Sequence, residues 1–391
     1  MFLIRQAKLD DAATLLKLAK MVHFINLPAD REVITSKILR SRECFRRAAG
    51  VADATPDQPS ASRNGAILGL SASRSDLFML VLEDADSGAC LGSSQIISRM
   101  GGPGNPNFSM RLTRRDFFSQ SLQTGTSHVV ARLHADESGP TEIGGLILQP
   151  ASRGHRLGRF LSFVRFHLIA LHRHLFADRV IAEMMGPLSA DGRSPLWEFF
   201  GRRFIPLSYT EADSHCQRSR EFISALLPAE DIYLSLLPPE ARDVVGRVGE
   251  ETVPARAMLE RLGFTCKDLV DPFDGGPHLE ASTDDISIVR NTRRAILAGH
   301  AAEFDREGIV SHLSDDGEFR AIQTPFALAG DQIRLPRDAI GQLEWKPGLA
   351  LGVTPYEAAR KRAPQKTTRT AEPKPPAKPA TKRPARRKER A

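Results

Sequence analysis

The 391-residue sequence predicts an α/β fold, and three observations carry that prediction. Strand-like and helix-like patterns alternate from residue 2 to about residue 282. One strand, over 141–150, feeds a glycine-containing loop and then a long amphipathic helix. A β-rich stretch follows and stops near Pro355. Hydrophobic content of 41% with 26% charged residues is ordinary for a folded domain and excludes wholesale disorder.

Residues 2–6 read as a short strand. Asp10 and Asp11 then open a helix in which Ala12, Leu15, Leu16, Ala19 and Val22 keep the spacing of one buried face. A second helix is predicted over 30–47, and residues 48–75 have the small and polar composition of a loop insertion. Strands at 77–82 and 90–98 flank Glu-Asp-Ala-Asp-Ser-Gly, which is turn chemistry. The strand from Thr141 is stopped by Pro150, and the helix after 151–156 runs to about residue 176. Its Leu157, Leu161, Val164, Leu168, Leu171 and Leu175 form one continuous apolar stripe.

Residues 179–184 read as a buried strand, and 187–250 as a helical insertion of short helices and loops, with Pro238-Pro239-Glu240 starting one of them. A helix over 253–262, ended by Gly263, leads to strands at 264–270 and 276–281 around Asp274-Gly275-Gly276. A helix from about 284 to 297 then enters the β-rich region. The expected organisation is a main domain over 1–282, a small C-terminal α+β region over 283–356, and a tail over 357–391.

The net charge of +7 belongs to that tail. Residues 357–391 carry +10, which leaves −3 on residues 1–356. The tail holds no Val, Ile, Leu, Met, Phe, Trp or Tyr, so it has nothing to bury and is expected to be disordered. Without interleaved aromatics it reads as a solubilising extension, and nucleic acid is expected at most as a weak electrostatic contact.

Cys44, Cys90, Cys216 and Cys266 lie far apart, which excludes a disulfide scaffold or zinc ribbon and fits a reducing cytoplasm. No apolar run approaches the ~20 residues of a membrane span, and Arg5 and Asp10 break any secretory leader. No metal site is expected, because His167, His172 and His174 share a helix with no carboxylate to complete a ligand set. Asp213 beside His215 and Cys216 lacks the spacing of a hydrolytic triad, and Trp197, Phe199 and Phe200 read as core.

The chemistry concentrates at Arg153-Gly154-His155-Arg156-Leu157-Gly158. A strand that enters a helix through such a loop leaves backbone N–H groups unpaired at the helix N-terminus, where the dipole favours a pyrophosphate. The loop resembles the Q/R-x-x-G-x-G/A phosphate cradle of the acyl-CoA N-acyltransferase (GNAT) superfamily. Pro254-Ala255-Arg256-Ala257-Met258-Leu259-Glu260-Arg261-Leu262-Gly263-Phe264 is similar to its second signature. Over residues 1–355 the sequence further resembles the bacterial arginine N-succinyltransferase family. The carrying stretches include Val180-Ile-Ala-Glu-Met-Met-Gly186, Ser194-Pro-Leu-Trp-Glu-Phe-Phe-Gly-Arg-Arg-Phe204, Ile232-Tyr233 and Phe273-Asp-Gly-Gly-Pro-His-Leu-Glu280.

The resemblance implies a GNAT-like fold with a mixed central sheet, and transfer of succinyl from succinyl-CoA to the α-amine of L-arginine or ornithine in arginine catabolism. Succinyl-CoA is then a cosubstrate and no permanent cofactor is expected. It is expected on Arg153, Gly154, His155, Arg156, Leu157 and Gly158 and along Leu146, Ile147 and Leu148, where a backbone N–H would stabilise the oxyanion. Glu183 either holds the substrate's cation or pairs with Arg202 or Arg203; Asp274 either binds substrate or is a turn residue.

Two positions depart from the family pattern. Arg156 replaces the first glycine of R-x-x-G-N-G, and Gly249 stands where the family has its proton-donating His, five residues before Pro254. Tyr233, which matches a family tyrosine, is the expected substitute donor. The alternatives are a CoA-binding partner or regulatory subunit with impaired chemistry, and an N-acyltransferase of different specificity. A homo-oligomer or a paired subunit of the same family is the expected protein partner.

Overall fold

The chain opens with β1 (Phe2–Gln6), α1 (Ala12–Met21) and α2 (Arg31–Ala48). Asp30 starts α2 by accepting the N–H groups of Glu32 and Val33 at 2.8 and 3.2 Å, satisfying two of the donors that a helix start leaves orphaned. The structure is a computed structural model that describes residues 1–21, 27–51, 75–154, 156–216 and 218–356. Most of the expected 48–75 loop, and the whole 357–391 tail, lie outside the described residues.

β2 (Leu77–Asp84) and β3 (Ala89–Ile97) form the expected hairpin. A second hairpin, β4 (Asn107–Ser119) with β5 (Thr124–Asp136), occupies a stretch where no element is predicted. Its outer half is exposed on both faces, so the apolar alternation that signals a strand is missing there.

β6 (Thr141–Leu148), α3 (Leu157–Leu171) and β7 (Arg179–Glu183) follow as expected, except that α3 ends before residue 176. The insertion consists of α4 (Pro195–Phe199), α5 (Tyr209–Cys216), α6 (Glu221–Leu226), the two-residue strand β8 (Ile232–Tyr233) and α7 (Pro239–Arg242). It packs Trp197, Tyr209 and Phe222 with Phe273 into a second core, so Trp197 and Phe200 are core as expected, whereas Phe199 is 39% exposed and the expectation for it is corrected.

α8 (Val253–Leu262) ends at Gly263, whose φ of 108° is the left-handed stop of a helix. β9 (Thr265–Val270) and β10 (Pro277–Ser282) come next. The helix expected over 284–297 is a correction. Only α9 (Ser287–Asn291) forms, and β11 (Arg293–His300) takes over. Ala295 and Leu297 point inwards while Arg294 and Ile296 face out, and that two-residue alternation belongs to a strand.

The chain then makes β12 (Arg306–Leu313), β13 (Phe319–Ala329), β14 (Gln332–Leu335), α10 (Arg337–Leu343) and β15 (Ala350–Pro355). All strands join one mixed sheet in the order β12-β15-β11-β14-β13-β1-β2-β3-β6-β7-β10-β9-β4-β5-β8, with β12 also paired to β13. That extra pairing closes five strands into a small barrel around Val310, Ile322, Phe326, Ile333, Leu351 and Val353. β13 also pairs with β1, so residues 283–356 continue the main sheet.

α3 lies on the sheet with Phe160, Leu161, Val164 and Leu168 in the largest core. His167 fastens it to the barrel, its ring nitrogens 2.6 Å from both Ser311 Oγ and Thr354 Oγ1. Burial pushes that imidazole down to about 3, so it stays neutral between two hydroxyls.

Candidate functional site

β6 pairs with β3 along most of its length, but with β7 only at Thr141–Val180 and Glu142–Ile181. The cause is a bulge. The β3–β6 register shifts between Ser93 and Gln95 opposite Gly145, which has φ 56° and would press a Cβ to 2.8 Å from Gln95 Nε2. Beyond Glu142 the β7-facing edge of β6 has no strand partner among the described residues, so a cleft opens between the two strands. Leu146, Ile147 and Leu148 run along it. Ile147 faces the α1–α2 core, and Leu146 and Leu148 face the α3 core.

The loop after β6 enters α3 through Gly154 at φ 98° and Arg156 at φ 59°, ψ 9°. A non-glycine residue in that left-handed region costs about 1–2 kcal/mol. No side chain caps α3, so the first N–H groups, of Leu157 and Gly158, point ahead of the helix. Leu157 buries its side chain in the core, and a Cβ on Gly158 would meet nothing within 4 Å. Arg153 and Arg156 are exposed; His155 lies outside the described residues.

On the far side of the cleft stands a buried acidic group. Glu183 ends β7 opposite His278 of β10, with Oε1 3.9 Å from His278 Nε2. Asn107 Nδ2 donates to the same Oε1 at 2.7 Å, and Arg220 donates to Asn107 Oδ1 at 2.7 Å. Of the two arginines expected as alternative partners, Arg202 pairs with Glu198 instead. Asp271 Oδ1 accepts the N–H groups of Phe273 and Asp274, and Asp274 Oδ1 accepts that of Gly276. Asp274 therefore shapes the turn. Gly276 is required there, since a Cβ would sit 1.8 Å from Met184 O.

Burial pushes the carboxyls of Asp271 and Asp274 up, and neighbouring carboxylates add to the effect. Asp213 is pushed up to about 7 by burial and by Asp271, and its buried Oδ1 has no hydrogen-bond partner among the described residues. Lys37 of α2, on which Glu142 and Asp213 act favourably, is nonetheless pushed down to about 8 by burial.

Gly249 donates its N–H to Met185 O at 3.0 Å, against the chain that leaves β7. Tyr233 lies on the edge strand β8, five pairings from β7 in the sheet order, with its ring against Phe117 and His128. The structure thus gathers Glu183, Asp274 and Gly249 at one end of β7, sets Leu146–Leu148 and the loop across the cleft, and leaves Tyr233 at the sheet's edge. Sequence reasoning missed Asp271, His278, Asn107 and Arg220. Only the alternation of β10, which puts His278 on the face of Glu183, offered a signal for one of them.

A family model described as the arginine N-succinyltransferase beta subunit matches residues 60–288. The chain is 35% identical over 283 residues to the arginine N-succinyltransferase of Yersinia pestis, covering 70% of this chain and 79% of that protein. It is 33% identical over 285 residues to arginine N-succinyltransferase subunit beta of Pseudomonas aeruginosa, covering 73% and 83%. The solved structure of arginine/ornithine succinyltransferase subunit AI from Pseudomonas aeruginosa superposes with a TM-score of 0.72 at 27% identity, over 90% of this chain and 98% of that one.

Proposed function

The chain belongs to the arginine N-succinyltransferase family of N-acyltransferases, and from that premise we propose that it moves the succinyl group of succinyl-CoA onto the α-amine of arginine or ornithine in arginine catabolism. The observation that supports this most is the cleft where β6 leaves β7, with a phosphate-ready loop on one side and buried carboxylates on the other.

In this reading the pyrophosphate rests on the N–H groups of Leu157 and Gly158, with Arg153 and Arg156 adding charge. An N–H on the free edge of Leu146–Leu148 receives the thioester oxygen as it gains charge. Glu183 and Asp274 face the incoming cationic amino acid. The departing thiolate, with a pKa of about 8.5, needs little help from an acid, so a glycine at 249 is compatible with turnover. We assign no proton transfer to Tyr233, which packs on Phe117 and His128.

Among the described residues no helix is long and apolar enough to cross a membrane. Four free cysteines suit the reducing cytoplasm, where we place the protein. We also assign a second family chain, identical or paired, to the outer hairpin and the turn after β8 beside it, where Phe118 is 60% and Leu236 83% exposed. Sedimentation of Phe118→Asp against the native protein tests that contact, and an unchanged mass would refute it.

Release of free CoA from succinyl-CoA by the purified protein tests the main reading. The expected result is release that depends on arginine or ornithine. Gly249 favours one second reading, a CoA-binding subunit that needs a family chain carrying the histidine. Release only on adding such a chain would select it.

A further inference from the structure

We propose that Glu183, Asp271 and His278 form the receptor for the protonated amine of the acceptor amino acid, and that His278 Nε2 takes its proton. The inference rests on the transferase reading above and adds to it a base and two unassigned residues.

Three observations carry it. His278 is 6% exposed, and its Nε2 is buried with no hydrogen-bond partner among the described residues. A ring nitrogen left in that state is unfavourable until a donor arrives. Next, one ligand atom each from Glu183, Asp271 and His278 lie within 4.8 Å of one another, with Glu183 and His278 3.9 Å apart. Three acceptors around an ammonium nitrogen at hydrogen-bond distance stand roughly 4.6 Å apart. Three around a zinc-sized ion stand only about 3.4 Å apart. The 3.9 Å between Glu183 and His278 lies between the two values, which leaves the choice of cation to the metal-binding test below. Last, Glu183 is the final residue of β7, beside the cleft that receives the thioester.

The charges around His278 suit a cation. Glu183 faces it from β7 and Asp271 from the β9–β10 turn, Asp274 of that turn and Asp213 of α5 act on Asp271, and His134 of β5 acts on the ring from the other side of the charge balance. Arg220 is engaged by Asn107. Burial holds the carboxyls of Asp271 and Asp274 above their ordinary range, so an incoming positive charge is welcome.

The chemistry balances. The ammonium has no lone pair, and passing one proton to His278 Nε2 frees it. The amine nitrogen bonds to the thioester carbon, the C–S bond breaks, and its electron pair leaves on the CoA sulfur. A second proton leaves the nitrogen as the amide forms and neutralises the thiolate.

His278→Gln, Asp271→Asn and Glu183→Gln test the proposal. The Asn keeps the oxygen that accepts the turn N–H groups, and the Gln at 183 keeps the one that accepts from Asn107. Melting temperature and calorimetric CoA affinity serve as fold controls, and any variant that fails them leaves the decision to the others. Asp271→Asn and Glu183→Gln should weaken arginine binding about tenfold or more. His278→Gln should lower arginine kcat/KM by about 100-fold at pH 7. The deficit should shrink at pH 9, where free amine is commoner.

Native turnover with all three variants unchanged would overturn the receptor and leave the transferase reading intact. No native turnover would refute the transferase reading alone. The receptor would then stand if arginine binds and Asp271→Asn abolishes it, and fall if arginine does not bind or binds both equally. Zinc or manganese bound by the native protein and lost from the variants would overturn the proposal in favour of a metal ion.

Discussion

Arg153 reaches Glu251 at 3.4 Å, so the loop that opens α3 is tied to the turn following Gly249. Both side chains are exposed, and an anion arriving at the loop competes with Glu251 for the same guanidinium. Glu251→Gln is therefore expected to tighten CoA binding by about threefold at low salt, and Arg153→Glu to weaken it severely. Calorimetry decides. Unchanged affinity in both would remove Arg153 from the CoA site.

Arg156 holds a left-handed backbone that glycine adopts without strain. Arg156→Gly should raise stability by about 0.5 kcal/mol, the relieved strain being partly offset by the freer unfolded chain. CoA affinity should fall because a cation is lost. A thermal melt and a CoA titration of one variant check both halves. A less stable Arg156→Gly would show that the side chain holds the loop.

Gly249→His places a titratable group beside the chain leaving β7, where the proposed reading lacks a proton donor. The new Cβ would lie 3.1 Å from Gly186 O, so that backbone must yield slightly. The expected effect is a rise in kcat of roughly tenfold with KM little changed, because a donor acts on the leaving group. Tyr233→Phe should leave kcat unchanged, given its place at the edge of the sheet. A collapse of kcat in Tyr233→Phe would return the donor role to that phenol.

Asp213 gives a pH signature. Its folded-state carboxyl titrates near 7 rather than at the ordinary 3.8. The native fold therefore holds this proton more tightly than the unfolded chain does, and loses stability as pH rises between those two values. Asp213→Asn carries no charge at any pH. It should melt above the native protein at pH 8, with the gap closing as pH falls towards 4. His167, neutral in the fold, biases stability the opposite way in acid, but it is present in both proteins and cancels from the difference. A gap independent of pH would exclude Asp213 titration as the cause.

The residues of the loop were legible because they are contiguous and local spacing encodes them. An apolar stripe of helical period, a proline stop and a glycine-containing entry predict β6, the loop and α3 from neighbours alone. The same holds for Asp30 as a helix start and Gly263 as a helix stop. The hairpin of β4 and β5 was not legible, since much of its length faces water on both sides and shows no alternation. The stretch over 284–297 misled, because what decides helix against strand there is the barrel that Ala295 and Leu297 enter.

The cluster of Glu183, Asp271 and His278 belongs wholly to the tertiary structure. Glu183 meets His278 through a strand register that spans 95 positions of sequence, and Asn107 reaches Glu183 from a hairpin 76 positions earlier in the chain. Periodicity tells a residue which face it occupies, but not which partner stands across the ladder. Burial then sets the charge state. Asp213, Asp271 and Asp274 are ordinary acids in the sequence and become reluctant to ionise only where the insertion and the sheet exclude water around them.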